Sequence, residues 1–197
     1  IAMEIPRQCK EEIDIIFVPV GGGGLISGIA SYVKAVRPKI KVIGVEPEDA
    51  ASMTRSLENN RRVRLDEVGT FTDGCAVREV GKETFRLTSK LVDGMITASV
   101  DEICAAIKDI FEDTRVIAEP AGALSMAGLK NYVANKGIVD KTLVAINCGA
   151  NINFDRLRHI SERAEIGEKR ESLFAVTIPE KPGSFRQFCT ILGKVSI

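Results

Sequence analysis

From residue 13 onward, short and almost continuous apolar runs alternate with longer segments whose apolar positions recur every three or four residues. The run IDIIFVPV (13–20) is rich in β-branched side chains and ends in glycine, which predicts a strand buried on both faces of a parallel sheet. In LISGIASYVKAV (25–36) the residues Leu25, Ile29, Val33 and Val36 recur at helical spacing, and Pro38 closes the helix. KIKVIGVE (39–46) supplies a second strand. Together they form a βαβ unit that must cross over right-handed if its strands are parallel.

Farther along, residues 58–80 are more polar and carry Asn59, Asn60, Asp73 and Gly74, predicting a surface loop whose role the pattern leaves open. KETFRLTSKLV reads as a helix, MITAS (95–99) as a short strand, and DEICAAIKDIFEDTR as a helix capped by Asp101 with Ile103, Ile107, Ile110 and Phe111 inward. Pro120 suits the first turn of the next helix, which Gly137 ends, and TLVAINC (142–148) is a further strand running into the turn CGAN. After Asn153 the pattern changes. HISERAEIGEKRES (159–172) is highly charged, reading as a helix end and a linker. An alternating strand (173–178), a Pro-Gly turn and a helix with Phe185, Phe188, Ile191 and Leu192 inward follow, a unit too short to fold alone.

Composition narrows the function classes. Of 197 residues, 45% are hydrophobic, enough for a core, and 27 basic residues balance 27 acidic ones. Balanced charge gives no global field for a nucleic acid or an anionic membrane. The five cysteines, at 9, 75, 104, 148 and 189, are odd in number and form no CxxC pair, which argues against a disulfide framework or a zinc site and for a reducing compartment. No apolar run approaches the roughly 20 residues that span a bilayer. The chain begins at Ile1 without a methionine and stops at KVSI, partway through a motif, so a piece of a longer protein is expected.

The candidate chemistry begins with four consecutive glycines between a buried strand and a helix. Glycine is entropically costly there, and one or two suffice for a tight turn. A close approach to an anion explains four, because helix N-terminal amides point back toward the loop and the helix dipole favours negative charge. Gly21, Gly22, Gly23, Gly24 and Leu25 are thus a candidate phosphate cup, with a plain strand-to-helix turn as the bland alternative. A dinucleotide-binding reading has Glu46 at the end of the second strand in its favour, but the third glycine of GxGxxG is replaced by Ser27 or Ile26, and GK[ST] is missing for a Walker loop. A compact phosphomonoester fits better than a pyrophosphate.

VPVGGGGLISGIA, VIGVEPEDA, FTDGCAVREVGKETFRL, ICAAIKDIFEDTR, EPAGALSMAGL and NCGANINF together resemble the pyridoxal-phosphate enzymes of the tryptophan-synthase-β structural class, and specifically the biosynthetic threonine dehydratases. LFAVTIPEKPGSFRQFC resembles the opening of the ACT-like regulatory domain that follows the catalytic part in that family. The resemblance implies an α/β fold with an open, mostly parallel sheet flanked by helices, followed by the start of a βαβ ACT-like domain. Its expected organisation is 1–165 for the later part of the catalytic domain, 166–171 for a linker and 172–197 for the truncated regulatory domain.

The resemblance also implies roles. The cofactor pyridoxal 5'-phosphate would set its phosphate on Gly21, Gly22, Gly23, Gly24 and Leu25, and Cys148, in the turn with Gly149, Ala150 and Asn151, would face its ring nitrogen. On sequence alone a cysteine ending a buried strand reads as an inert core residue. Glu119 reads either as a helix N-cap and dipole partner or as an acid near the substrate and ring. Glu46 resembles a metal-binding acid of the serine racemase branch, but Ser52 stands where that site has an aspartate, so no metal is expected. His159, the only histidine, reads as a solvated surface residue. The Schiff-base lysine of the family lies in a motif upstream of the glycine loop, and no lysine here has that context, so these residues alone are expected to be inactive. The parent enzyme would deaminate L-threonine to 2-oxobutanoate and ammonia as a cytoplasmic homotetramer, plastidic in a plant. Isoleucine would inhibit it and valine would act as a candidate activator. The rivals are an L-serine dehydratase or serine racemase, and a dinucleotide-binding domain with an attached amino-acid sensor.

Overall fold

The computed structural model describes residues 1–172 and 175–194. After a single helical turn, α1 (Ile5–Gln8), four strands build one sheet: β1 (Ile15–Pro19), β2 (Lys41–Pro47), β3 (Gly94–Ala98) and β4 (Leu143–Ala145). Their order is β3-β2-β1-β4 and every pairing is parallel, with Ile15 opposite Lys41 on one side and Leu143 on the other. The open parallel sheet expected from the apolar runs is present.

The period-two pleat of β1 decides the layers. Ile16, Val18 and Val20 join Ile26, Ile29 and Val33 of α2 (Gly24–Val36) and Met53 of α3 (Ser52–Glu58), with Phe85 and Leu91 of α4 (Lys82–Leu91) packed against them. Ile15 and Phe17 point to the other face, toward Ile103, Ile107 and Ile110 of α5 (Val100–Thr114), Leu124 and Ala127 of α6 (Pro120–Lys136), and Ile160 and Ala164 of α7 (Arg156–Gly167). Both faces of β1 are therefore covered, which is why its sequence is apolar without interruption.

Several expectations are corrected. The N-cap of α5 is Ser99, not Asp101: the Ser99 side chain accepts from Glu102 N–H while the Glu102 carboxylate accepts from Ser99 N–H at 2.7 Å. That reciprocal capping box satisfies two helix-end donors at once, and Asp101 instead pairs with Arg163 of α7. Phe111 is 41% exposed, because four helical steps of about 100° put it roughly 40° beyond Ile107, at the edge of the apolar stripe; Arg115 lies over its ring. β4 ends at Ala145 rather than Cys148, being paired on one side only among the described residues.

The charged stretch after Asn153 contains more helix than its composition suggested, since α7 runs to Gly167 and buries Ile160 and Ala164 against α5. The expected strand 173–178 is not formed over 175–178, while Leu173 and Phe174 lie outside the described residues. A lone strand without a partner has no ladder to stabilise it. Helix α8 (Ser184–Leu192) forms, but Phe185 and Ile191 are exposed rather than inward, and none of its residues is buried.

Candidate functional site

At the carboxyl end of β1 the chain passes through Gly21 to Gly23 and enters α2 at Gly24. β1 lies between β2, which follows it, and β4, which begins 124 positions after β1 ends and arrives by way of the opposite helical layer. The strand order thus reverses between β1 and β4, and ligands of open α/β sheets bind in the crevice beyond such a reversal. The glycine loop and the turn after β4 are the two lips of that crevice.

Gly23 is the N-cap of α2 and has a left-handed backbone, φ +88°. A Cβ there would come within 2.6 Å of Met53 and 2.9 Å of Thr84, whereas Cβ atoms at Gly22 and Gly24 would meet nothing within 4 Å. Two of the glycines therefore border open space, and one permits a conformation and an approach that a side chain forbids. Among the described residues, the backbone N–H groups of Gly21, Gly22, Gly23, Gly24 and Leu25 have no protein acceptor. Leu25 tucks its side chain against the α2 core cluster. Unpaired donors at a helix N-terminus, with room above them, form an anion cup.

The cup is tied to the start of α6, which packs on the turn after β4, through a segment the sequence left as a surface loop. A Cβ on Gly21 would lie 3.2 Å from Cys75 Cα, and one on Gly74 would lie 2.9 Å from Ala121 Cβ. The short 3-10 turn Asp73–Cys75 is thus wedged between the glycine loop and the start of α6. Cys75 is buried, and desolvation pushes its thiol up to about 12. Nothing local in DGC signals this placement; only the tertiary contact reveals it.

Glu119 occupies the N-cap position of α6 by backbone conformation, yet its side chain makes no cap hydrogen bond. Its N–H donates to Gly149 O at 3.0 Å, and its carboxylate lies where a side chain on Gly149 would have to be. The side-chain cap reading is corrected: the acid faces the Cys148–Gly149 turn. Cys148 is exposed rather than a core residue, and its Sγ lies 3.8 Å from Ala121 O. Partial desolvation, and then the charge of Glu119, hold its thiol above the ordinary range, so at neutral pH it is a neutral donor. Gly21–Leu25, Gly74–Cys75, Glu119 and Cys148 consequently share one end of the sheet.

Glu46 is elsewhere in function. Fully buried, it accepts from Met53 N–H at 2.7 Å, Thr54 N–H at 2.8 Å and the Thr54 hydroxyl at 2.6 Å. Both oxygens cap α3 and the side chain is completely buried, so it presents no accessible oxygen to a ribose or a cation. Burial pushes its pKa above the ordinary carboxylate value, opposed by those hydrogen bonds. Among the described residues no three His, Cys, Asp or Glu side chains come together as a metal site, and no helix is long and apolar enough to cross a membrane. His159 is exposed and meets Phe71 edge-on at 6.0 Å. A cavity of about 940 Å³ runs along the outer edge of β3 past Gly94, Ile96 and Lys130 and is lined by none of the candidate site residues.

Residues 1–149 match the family of pyridoxal-phosphate dependent enzymes, and residues 162–197 match the C-terminal regulatory domain of threonine dehydratase. The chain is 58% identical over 193 residues to the biosynthetic L-threonine dehydratase IlvA of Burkholderia multivorans, covering 98% of this chain and 38% of that protein. With the chloroplastic biosynthetic threonine dehydratase of Arabidopsis thaliana it shares 54% over 197 residues, 100% of this chain and 33% of the relative. It therefore spans less than two fifths of the length of these curated relatives. Among solved structures, the processed form of threonine deaminase isoform 2 from Solanum lycopersicum superposes with a TM-score of 0.82 at 46% identity, over 84% of this chain and 45% of that one. Serine racemase from Dictyostelium discoideum superposes with a TM-score of 0.68 at 33% identity, covering 78% of this chain and 48% of that one.

Proposed function

Because the chain belongs to the pyridoxal-phosphate dependent enzymes, we propose that it is part of a threonine dehydratase that converts L-threonine to 2-oxobutanoate and ammonia, opening isoleucine synthesis. The observation that carries this reading is the cup, where five successive backbone donors stand unpaired at a helix N-terminus beside the β1/β4 reversal. The open space over Gly22 and Gly24 suits a phosphomonoester, and the engagement of Glu46 by α3 removes the main support for a dinucleotide.

Gly21, Gly22, Gly23, Gly24 and Leu25 would hold the cofactor phosphate, and Cys148 would face the ring nitrogen. Bound there, the cofactor supplies an electron sink that acidifies the substrate α-proton. Cys148, kept neutral, would offer that nitrogen a hydrogen bond without a counter-charge, which would favour loss of the β-hydroxyl over long storage of negative charge. Glu119 sets a carboxylate at the lip next to Cys148, within reach of the substrate side of the crevice. Selectivity for threonine over serine is supported by the relatives at 58% and 54% identity, whose names specify threonine.

The match of residues 162–197 to a regulatory domain supports feedback by an amino acid, and isoleucine as the pathway's product is the proposed inhibitor, with valine opposing it. The homotetramer, and a cytoplasmic or plastidic site of action, belong to the same proposal. The test is an assay of the full-length protein with L-threonine and L-serine, with and without isoleucine. Visible absorbance of bound cofactor, faster 2-oxobutanoate release than pyruvate release, and inhibition by isoleucine are expected. Preferential action on serine, or racemisation, would assign it to the serine enzymes instead.

A further inference from the structure

The glycine loop is held from behind by a residue 62 positions away in sequence. Gly22 O accepts the Thr84 hydroxyl at 2.6 Å and, more weakly, Gly81 N–H at 3.4 Å. Gly81 is the N-cap of α4 and Thr84 lies in its first turn. The Gly22 carbonyl thus sits at the positive end of α4, where it partners the N-cap N–H that the helix leaves free and the Thr84 hydroxyl.

The consequence follows from peptide geometry. No cis peptide occurs among the described residues, and in a planar trans peptide the C=O of Gly22 and the N–H of Gly23 point in opposite directions. Fixing that carbonyl against α4 therefore turns the Gly23 N–H away from α4 as one of the unpaired donors of the cup. Thr84 also limits the loop sterically, since its Cβ would stand 2.9 Å from any Cβ on Gly23. Its hydroxyl has a second acceptor in Gly81 O at 3.0 Å, but one proton serves only one acceptor at a time and the Gly22 contact is the shorter.

We propose that Thr84 is a positioning residue for phosphate binding, acting through the Gly22 carbonyl on the direction of the Gly23 N–H. This rests on the reading of Gly21–Leu25 as the phosphate cup. The test compares apo full-length enzyme carrying Thr84→Val, which keeps shape and removes the donor, with Thr84→Ser, which keeps the donor. Binding of pyridoxal phosphate and of pyridoxal, which lacks the phosphate, is titrated for each. Thr84→Val is expected to weaken pyridoxal phosphate about fivefold, the scale of one neutral hydrogen bond, with pyridoxal unaffected and Thr84→Ser close to wild type. Equal weakening of both ligands, or of neither, overturns the role. If wild-type enzyme itself binds the two ligands equally well, the cup reading fails and the role of Thr84 fails with it.

Discussion

Gly23 and Gly24 are neighbours that tolerate opposite things. Gly23 has φ +88° and no room for a Cβ beside Met53 and Thr84. Gly23→Ala should therefore lower the stability of the apo protein by about 1–2 kcal/mol from the left-handed backbone alone, with the clash in addition. Gly24 opens α2 in ordinary helical conformation with nothing within 4 Å of a Cβ. Gly24→Ala should leave the thermal midpoint unchanged or raise it, since alanine is the better helix former. It should nevertheless weaken pyridoxal phosphate binding by setting a methyl group in the cup. Melting curves of both apo variants, followed by cofactor titration, check the pair; a Gly24→Ala protein with full affinity would show that the open space is not where the phosphate lies. Four glycines in a row were visible in the sequence, but which of them needs its missing side chain for folding and which for binding was not, because that depends on Met53 and Thr84.

Elements are joined by charges as well as by apolar faces. Lys108 of α5 contacts Glu165 and Glu168 at 3.0 Å each, and Arg170 pairs with the same two carboxylates. This clasp fastens the end of α7 to α5 within the first residues of the regulatory match. The hydrogen bond from Lys108 lowers Glu168 below its ordinary value of 4.5, while Glu168, and next Glu165, raise Lys108 above 10.5. A carboxylate whose folded value is depressed contributes stability that is present above its unfolded value and lost as pH falls through the folded one; the raised lysine contributes below 10.5 and is lost as pH rises through its folded value. The urea midpoint should accordingly fall as pH drops below 4.5, and Glu168→Gln should flatten that dependence. High salt should weaken it too, since the pairs are solvent-accessible. An unchanged acid profile in Glu168→Gln would show that the clasp adds nothing to folding. The charged sequence 159–172 announced solvent exposure; that one side of it buries Ile160 and Ala164 was hidden by the polar residues around them.

Across the whole molecule, protection should follow the sheet. β1 is paired on both sides and buried throughout, and β2 is buried beyond its first residue, whereas β4 is half-buried and paired on one side only among the described residues. Amide hydrogen exchange of this chain should be slowest at 15–20 and 41–46, faster at 143–145, and fastest in α8, which buries none of its residues. Exchange in α8 as slow as in β1 would require a packing partner for that helix which the described residues do not supply.

Residue type and period were enough for the β1-α2-β2 unit and the parallel class of the sheet, because strands buried on both faces and helices with one apolar stripe write their environment directly into the sequence; the four glycines pointed to a candidate cup. Its family likeness was legible in motifs that sit after β1, β2 and β4 and along α4, α5 and α6. The cap on α5 was also written locally, as Ser99 and Glu102 three residues apart, although Asp101 drew attention first. The assembled fold was needed to show that Glu46 caps α3, that the Gly74–Cys75 turn is wedged between the glycine loop and α6, that Glu119 turns toward Gly149, and that Thr84 holds Gly22. Apart from Glu46, whose partners lie seven and eight residues away, each of these depends on atoms brought together from about 30 to 60 residues apart, and no local period or propensity carries information about such a partner.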